Sequence, residues 1–184
     1  MVVVLAITLS IFIGILFSSS YAWYAYANSE TAINGETIKE VPTVIFSQTE
    51  YVYSKTTLPI RDEDHYNYAS KNSFSITVGE KLKNYDVGVE ILLNDIIMSN
   101  ELKIANYKYE LLQDNEVVSS GNFSNIGSNN KLDIAPMILL TPSSYPKTYS
   151  YELYIWLSDD GTNQNDLMNK AFSAKVNVKS AIKK

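Results

Sequence analysis

The sequence predicts an all-β protein: a single immunoglobulin-like or jelly-roll-type β-sandwich preceded by one N-terminal hydrophobic helix. Three observations carry this. From residue 41 onward apolar and polar residues alternate, with Phe74, Ile76 and Val78 set against Ser73, Ser75 and Thr77, the period of a half-buried strand. Clusters of Gly, Pro, Asn, Asp and Ser interrupt that alternation at short intervals, as the turns of a sandwich do. Finally, Met1–Ala27 contains no charged side chain, the first being Glu30.

That opening stretch has two readings. As a helix rising about 1.5 Å per residue, it is long enough to cross a hydrocarbon core of about 30 Å. Val2, Leu5, Ile11, Ile13, Leu16 and Phe17 would face lipid, and Tyr21, Trp23 and Tyr24 would lie at the far interface, where amphipathic rings are favoured. As a signal peptide it would be cleaved after Ala27, because Ala25-Tyr26-Ala27 fits the small-x-small rule. The absence of a basic n-region before Val2 favours a retained anchor. No basic cluster follows it, since Glu30, Glu36, Lys39 and Glu40 are mixed in sign. The expected location is therefore the extracellular face of a membrane, on a cell or a virion, or the exterior if the leader is cleaved.

Residues 28–40 read as a polar linker or edge strand, 41–180 as the sandwich and 181–184 as a basic tail. Val41–Tyr53 is expected as a strand, with Pro42 tolerable only at its start or on an edge. Thr56–Lys71 is expected as a long loop, followed by strands at Ser73–Val78 and Asp86–Leu93. Asn94–Leu102 fits either a short helical turn or a cover for one end of the core. Ile104–Gln113 and Glu116–Phe123 flank Asp114-Asn115, the plainest hairpin signal in the chain. Lys131–Leu140 supplies more strand before Pro142 and Pro146. Thr148–Ser158 is the strongest strand, and its more aliphatic face, with Tyr151, Leu153, Ile155 and Leu157, is expected to be the core. Asp159–Lys170 is a polar loop with a helical turn near Asp166–Asn169, and Ala171–Val178 closes the sandwich.

Composition excludes several functions. A net charge of −5 opposes binding to nucleic acid or anionic lipid. There are no cysteines, hence neither disulfides nor thiolate metal sites. No G-x-G-x-x-G, P-loop or nucleophile elbow occurs, so no cofactor is expected. His65 is the single histidine, and Arg61-Asp62-Glu63-Asp64-His65 reads as a solvated loop with an Arg61–carboxylate pair. Asp62/Asp64 and Asp159/Asp160 offer paired carboxylates of the kind glycosidases use, yet sandwich loops carry such pairs routinely. Asp159–Asp166 offers oxygen ligands for calcium at loop spacing but departs from the EF-hand pattern. The 14 tyrosines are the more informative feature. Tyr107, Tyr109, Tyr149, Tyr151 and Tyr154, with Trp156, either pack across strands or form an assembly or binding surface.

The layout resembles that of camelysin and TasA-type exported matrix-fibre proteins, and of related small surface sandwiches of low-GC Gram-positive bacteria. The likeness rests on the leader ending SYAWYAYANSE, the LPIRDED segment before a Phe-x-Ile strand, and the block YELYIWLSDDGTNQNDLMNKAFSAKVNV. The resemblance implies fibre formation and self-association. The expected function is a non-catalytic structural protein of a cell surface, extracellular fibre or virion membrane, touching the lipid bilayer through its leader. The alternative is a surface-displayed adhesin recognising a glycan or host protein. If the leader is a retained anchor, Gly14→Arg would cost about 2.5–3.5 kcal/mol of insertion at the helix centre. Fractionation should then find the variant released from membranes, whereas a native N-terminus at Asn28 would rule out retention.

Overall fold

The computed structural model describes residues 44–47, 51–56, 58–127 and 129–183. The predicted helix over 1–27 and linker over 28–40 lie outside the described residues. The chain contributes strands β1 (Val44–Ser47), β2 (Val52–Lys55), β3 (Ser70–Val78), β4 (Asp86–Met98), β5 (Tyr107–Gln113), β6 (Glu116–Asn122), β7 (Leu132–Leu140), β8 (Lys147–Leu157) and β9 (Ala171–Lys183). They form a five-stranded sheet, β1-β3-β8-β5-β6, and a four-stranded sheet, β2-β9-β4-β7.

The pairing is nested. β5 pairs β6, β4 pairs β7, β3 pairs β8 and β2 pairs β9, all antiparallel. The chain from β2 to β9 thus behaves as one long hairpin rolled into two layers. Its tip is the Asp114-Asn115 turn, where both residues have positive φ (48° and 71°), the type I′ geometry that matches strand twist. The expected hairpin is present at its expected place.

The inner faces of both sheets share one core, with Ile76, Val78, Leu111, Leu153 and Ile155 from one layer and Val87, Val89, Ile91, Ile134 and Phe172 from the other. Aromatic rings tie the layers together: Phe123 lies 4.9 Å from Tyr107 and 4.8 Å from Phe172, centroid to centroid. Tyr109 fits because its cross-strand partner is Gly121, where a Cβ would come within 2.6 Å of the tyrosine hydroxyl.

Three differences from the sequence expectation have local causes. Val41–Tyr53 is not one strand: Val44 pairs Val78 and Val52 pairs Ala174, in opposite sheets. Gln48, Thr49 and Glu50, between the two, carry no apolar side chain. β4 runs on to Met98 across a bulge between Asn94 and Ile97. An unbroken period of two would put Asp95 on the core face after Leu93; the extra residue, with Asp95 at φ 51°, turns Ile96 inward instead. Leu102 follows in a short 3-10 turn, Asn100–Leu102, and plugs the core. The expected basic tail is also strand, because Ala181, Ile182 and Lys183 pair Gly88, Val87 and Asp86.

β8 places Tyr149, Tyr151, Leu153, Ile155 and Leu157 in the main core, the face expected from sequence. Its other face is buried too, because Tyr154 and Trp156 form a second apolar cluster with Leu112, Ile60 and Ala69. Leu153→Ala should therefore lower unfolding free energy by about 2–5 kcal/mol. Ser150→Ala, at an exposed position of the same strand, should change it by less than about 0.5 kcal/mol. Equilibrium urea denaturation distinguishes the two.

Candidate functional site

The second cluster is covered by residues 58–69, a strap crossing the outer face of β5 and β8. It starts at Ile60, whose N–H donates to the Leu157 carbonyl (2.8 Å) while its own carbonyl accepts the Asp159 N–H (2.9 Å). A 3-10 turn, Asp62–Asp64, leads into one helical turn, His65–Tyr68, and then into β3. The expected solvated loop is thus a structural cover, and Lys108 rather than Arg61 pairs with Asp62.

Three polar groups hold the strap to the sheet. Asp62 Oδ1 accepts the Trp156 indole N–H (2.9 Å) and the Ser158 hydroxyl (2.8 Å), and Oδ2 pairs with Lys108 Nζ (2.5 Å). Burial raises the Asp62 pKa, but the hydrogen bonds from Lys108, Trp156 and Ser158, with the Lys108 charge, outweigh it and bring the carboxyl down to about 2. His65 is buried against Trp156, their rings stacked at 4.4 Å and 19°, with Tyr154 edge-on at 6.1 Å. Its Nδ1 lies 2.5 Å from the Asp62 carbonyl oxygen and its Nε2 3.1 Å from Glu110 Oε1. The Tyr66 hydroxyl donates to the same Glu110 oxygen. That bond, with burial and the Glu110 charge, pushes the phenol up to about 12. Beyond this, the Tyr154 hydroxyl donates to Glu152 (2.9 Å), and Glu152 pairs with Lys71 (2.6 Å). The hydrogen bond from Lys71 holds the Glu152 carboxyl below its usual range.

This is the arrangement of a clasp. Both ring nitrogens of His65 are occupied, and the Ser158 hydroxyl is directed at Asp62. A nucleophile–base pair needs a serine or its equivalent on one imidazole nitrogen, and neither nitrogen here faces one.

The Asp159–Asp166 loop also binds itself. Asp159 Oδ1 accepts the Gly161 N–H (2.9 Å), Asp160 Oδ1 accepts the Thr162 N–H (2.9 Å) and hydroxyl (2.7 Å), and Asp160 Oδ2 accepts Asn106 Nδ2 (2.6 Å). Hydrogen bonds from the Thr162 hydroxyl and N–H, with lesser help from Asn106, lower the Asp160 carboxyl. The Asp159 and Asp160 oxygens that a calcium ion would take accept from donors within the loop and from Asn106 beside it. Among the described residues, no group of three or more His, Cys, Asp or Glu gathers in a way that could hold a metal.

The expected aromatic surface is corrected. Tyr107, Tyr109, Tyr149 and Tyr151 are buried in the main core, and Tyr154 and Trp156 beneath the strap. The reason is sheet order: β8 and β5 are interior strands, so their inner face meets the opposite layer and their outer face meets the strap. Among the described residues the exposed tyrosines are instead Tyr51, Tyr53, Tyr66 and Tyr68, and the exposed aliphatic side chains include Val117 and Val118 on the edge strand β6, Met137 and Leu139 on the edge strand β7, and Ile97 on the interior strand β4. The expected anchor residues, Val2, Leu5, Ile11, Ile13, Leu16, Phe17, Tyr21, Trp23 and Tyr24, lie outside the described residues. Among the described residues, no helix is long and apolar enough to cross a membrane.

Sequence reading missed Glu110 and took Asp62 and His65 for parts of a solvated loop. The available signal was Tyr154-Ile155-Trp156-Leu157, a run apolar on both faces, which in an antiparallel sheet demands a second cover. No protein-family model matches the chain, and no curated protein matches it.

Asp62 makes a pH prediction. Its carboxyl lies at about 2 in the fold against 3.8 ordinarily, so between those values the unfolded chain binds more protons and stability rises with pH. The contribution is present above pH 4 or so and is lost as pH falls toward about 2. Asp62→Asn should flatten that limb of a stability–pH curve measured by chemical denaturation, and an unchanged acid limb would contradict the assignment.

Proposed function

We propose that this is a non-catalytic structural protein, membrane-anchored or exported, that assembles on a cell surface, in an extracellular fibre or on a virion membrane through contacts of its β-sandwich. The observation that carries the reading is the character of two sheet edges. β7 bounds the four-stranded sheet with Met137 and Leu139 exposed, and β6 bounds the five-stranded sheet with Val117 and Val118 exposed. No strand among the described residues forms a ladder along the outer edge of either, although the Ser119 hydroxyl of β6 donates to the Ile134 carbonyl of β7, so the two edges touch at that point. Exposed apolar edges are templates for pairing with another chain unless covered. β7 is partly blunted by Pro136, which sits at a register shift against β4 and removes one backbone donor.

The nested pairing supports a jelly roll rather than an immunoglobulin-like sandwich. The orders β2-β9-β4-β7 and β3-β8-β5-β6 follow from rolling one long hairpin into two Greek keys, with β1 an additional edge strand beside β3. Contact rather than chemistry is further supported by the clasp, where the single histidine and Asp62 are engaged within the fold. The adhesin reading draws on a different observation: Tyr68 is exposed on the strap, and an aromatic ring there is suited to stacking on sugar.

In the structural reading, the lipid bilayer is met by the leader and a neighbouring copy by the linker and sheet edges. Deleting Ser29–Lys39 should leave the sandwich folded by circular dichroism while abolishing ordered arrays on membranes in electron micrographs. A deletion variant that still assembles would remove the linker from the contact. A wild-type chain that stays monomeric on membranes would overturn the structural reading.

A further inference from the structure

The outer face of the four-stranded sheet carries a group of apolar side chains that the fold leaves in water. Val52 and Ser54 of β2 are buried, so Tyr53 between them points outward. Ile96 faces the core, so Ile97 points outward from β4. Both are in register with Ser173 of β9, the strand that runs between β2 and β4. Two strand spacings put the Tyr53 and Ile97 backbones about 10 Å apart, with only a serine as the floor between them. Tyr51 joins the same face, because the Nζ of Lys175 on β9 lies 5.4 Å from its ring centroid. Tyr51, Tyr53 and Ile97 are 62%, 54% and 73% exposed.

These side chains are held in place. β2 is an edge strand, and its backbone at Tyr53 is met by one amide: the Tyr53 N–H donates to Asn72 Oδ1 (3.0 Å) and Asn72 Nδ2 donates to the Tyr53 carbonyl (3.4 Å). Lys175 is fixed on its other side by Asp95 of the β4 bulge (2.8 Å). A preorganised surface loses little freedom on meeting a ligand.

The chemistry of the face selects its occupant. The Lys175 charge is matched by Asp95, and Lys55, which follows at the end of β2, is a single cation beside the rings, too little to favour an anionic polymer. The centre of a protein interface is depleted of charge. A protein covering the three apolar side chains would bury the Lys175–Asp95 pair at a desolvation cost. A sugar has both surfaces needed. Its C–H face packs on an aromatic ring, and its hydroxyls donate and accept, so they can engage Lys175, Asp95 and Ser173 while leaving the ion pair wet.

We propose that the outer face of β2, β9 and β4 around Tyr51, Tyr53 and Ile97 is a binding site for a neutral oligosaccharide, which lies over Ser173 with its rings against the tyrosines and its hydroxyls on the Lys175–Asp95 pair. The site stands independently of the assembly reading above and is built on the other sheet from the one the strap covers.

Full-length protein in a sugar-free detergent is tested by interferometry against immobilised hexaoses of glucose, mannose and N-acetylglucosamine, with heparin as the anionic comparison. Binding to at least one neutral hexaose is expected, insensitive to salt, and weakened about tenfold by Tyr51→Ala or Tyr53→Ala. Tyr53→Phe keeps the ring and should hold the affinity within about twofold. Tyr68→Ala, on the strap, should leave it unchanged, and circular dichroism confirms that each variant is folded. Absence of binding to all three neutral hexaoses, or a preference for heparin that salt removes, would overturn the proposal. So would binding lost in Tyr68→Ala and kept in Tyr53→Ala, a result that leaves the adhesin reading in place but moves its site. Self-association of the wild type that Tyr53→Ala abolishes would mark the face as a protein contact and also overturn it.

Discussion

The second half of β8 is apolar on both sides, and much of the molecule follows from that constraint. An antiparallel sheet commonly gives one face to water, but β8 lies at the centre of the five-stranded sheet with Leu153 and Ile155 inward and Tyr154 and Trp156 outward. Burying one large apolar side chain stabilises by about 1.5–3 kcal/mol, so leaving the outer pair wet would forfeit a substantial part of a marginal stability. The strap supplies the missing layer. Its polar composition follows from the aromatics it covers, whose indole N–H and hydroxyl need partners once buried. Asp62 on the strap meets the Trp156 N–H, while the Tyr154 hydroxyl is met from its own strand by Glu152.

The strand pattern was largely legible because it is local. The alternation in β3, β8 and β9 and the Asp114-Asn115 turn required only neighbouring residues to interpret. The failures are non-local. The bulge at Asp95 is set by which face Ile96 must reach, and the split of β1 from β2 by their partners β3 and β9. Neither partner choice is written in the period of the strand itself.

The candidate site was less legible for the same reason. Tyr107, Tyr109, Tyr149 and Tyr151 looked available for contact because a strand's sequence does not say whether it lies at the edge or the centre of a sheet. His65 looked solvated because Asp62, Glu63 and Asp64 surround it in sequence, whereas Glu110 and Trp156, the residues that enclose it, come from β5 and β8. The YIWL run was the one local clue. The resulting site is a closed network of aromatic stacking and charged hydrogen bonds, and its chemistry is holding two surfaces together. The exposed apolar groups beyond that network include Val117 and Val118 on β6, Met137 and Leu139 on β7, and Tyr68 on the strap.

Native-state hydrogen exchange followed by NMR tests the two-sided burial of β8 most directly, since exchange reports local opening residue by residue. If the strap is an integral layer, the Ile60 and Asp159 amides and the Trp156 indole N–H should exchange as slowly as the amides of β8, because the two amides join the strap to the end of β8 and the indole N–H donates to Asp62 on the strap. Exchange of these three at rates typical of a free loop, with β8 still protected, would contradict it.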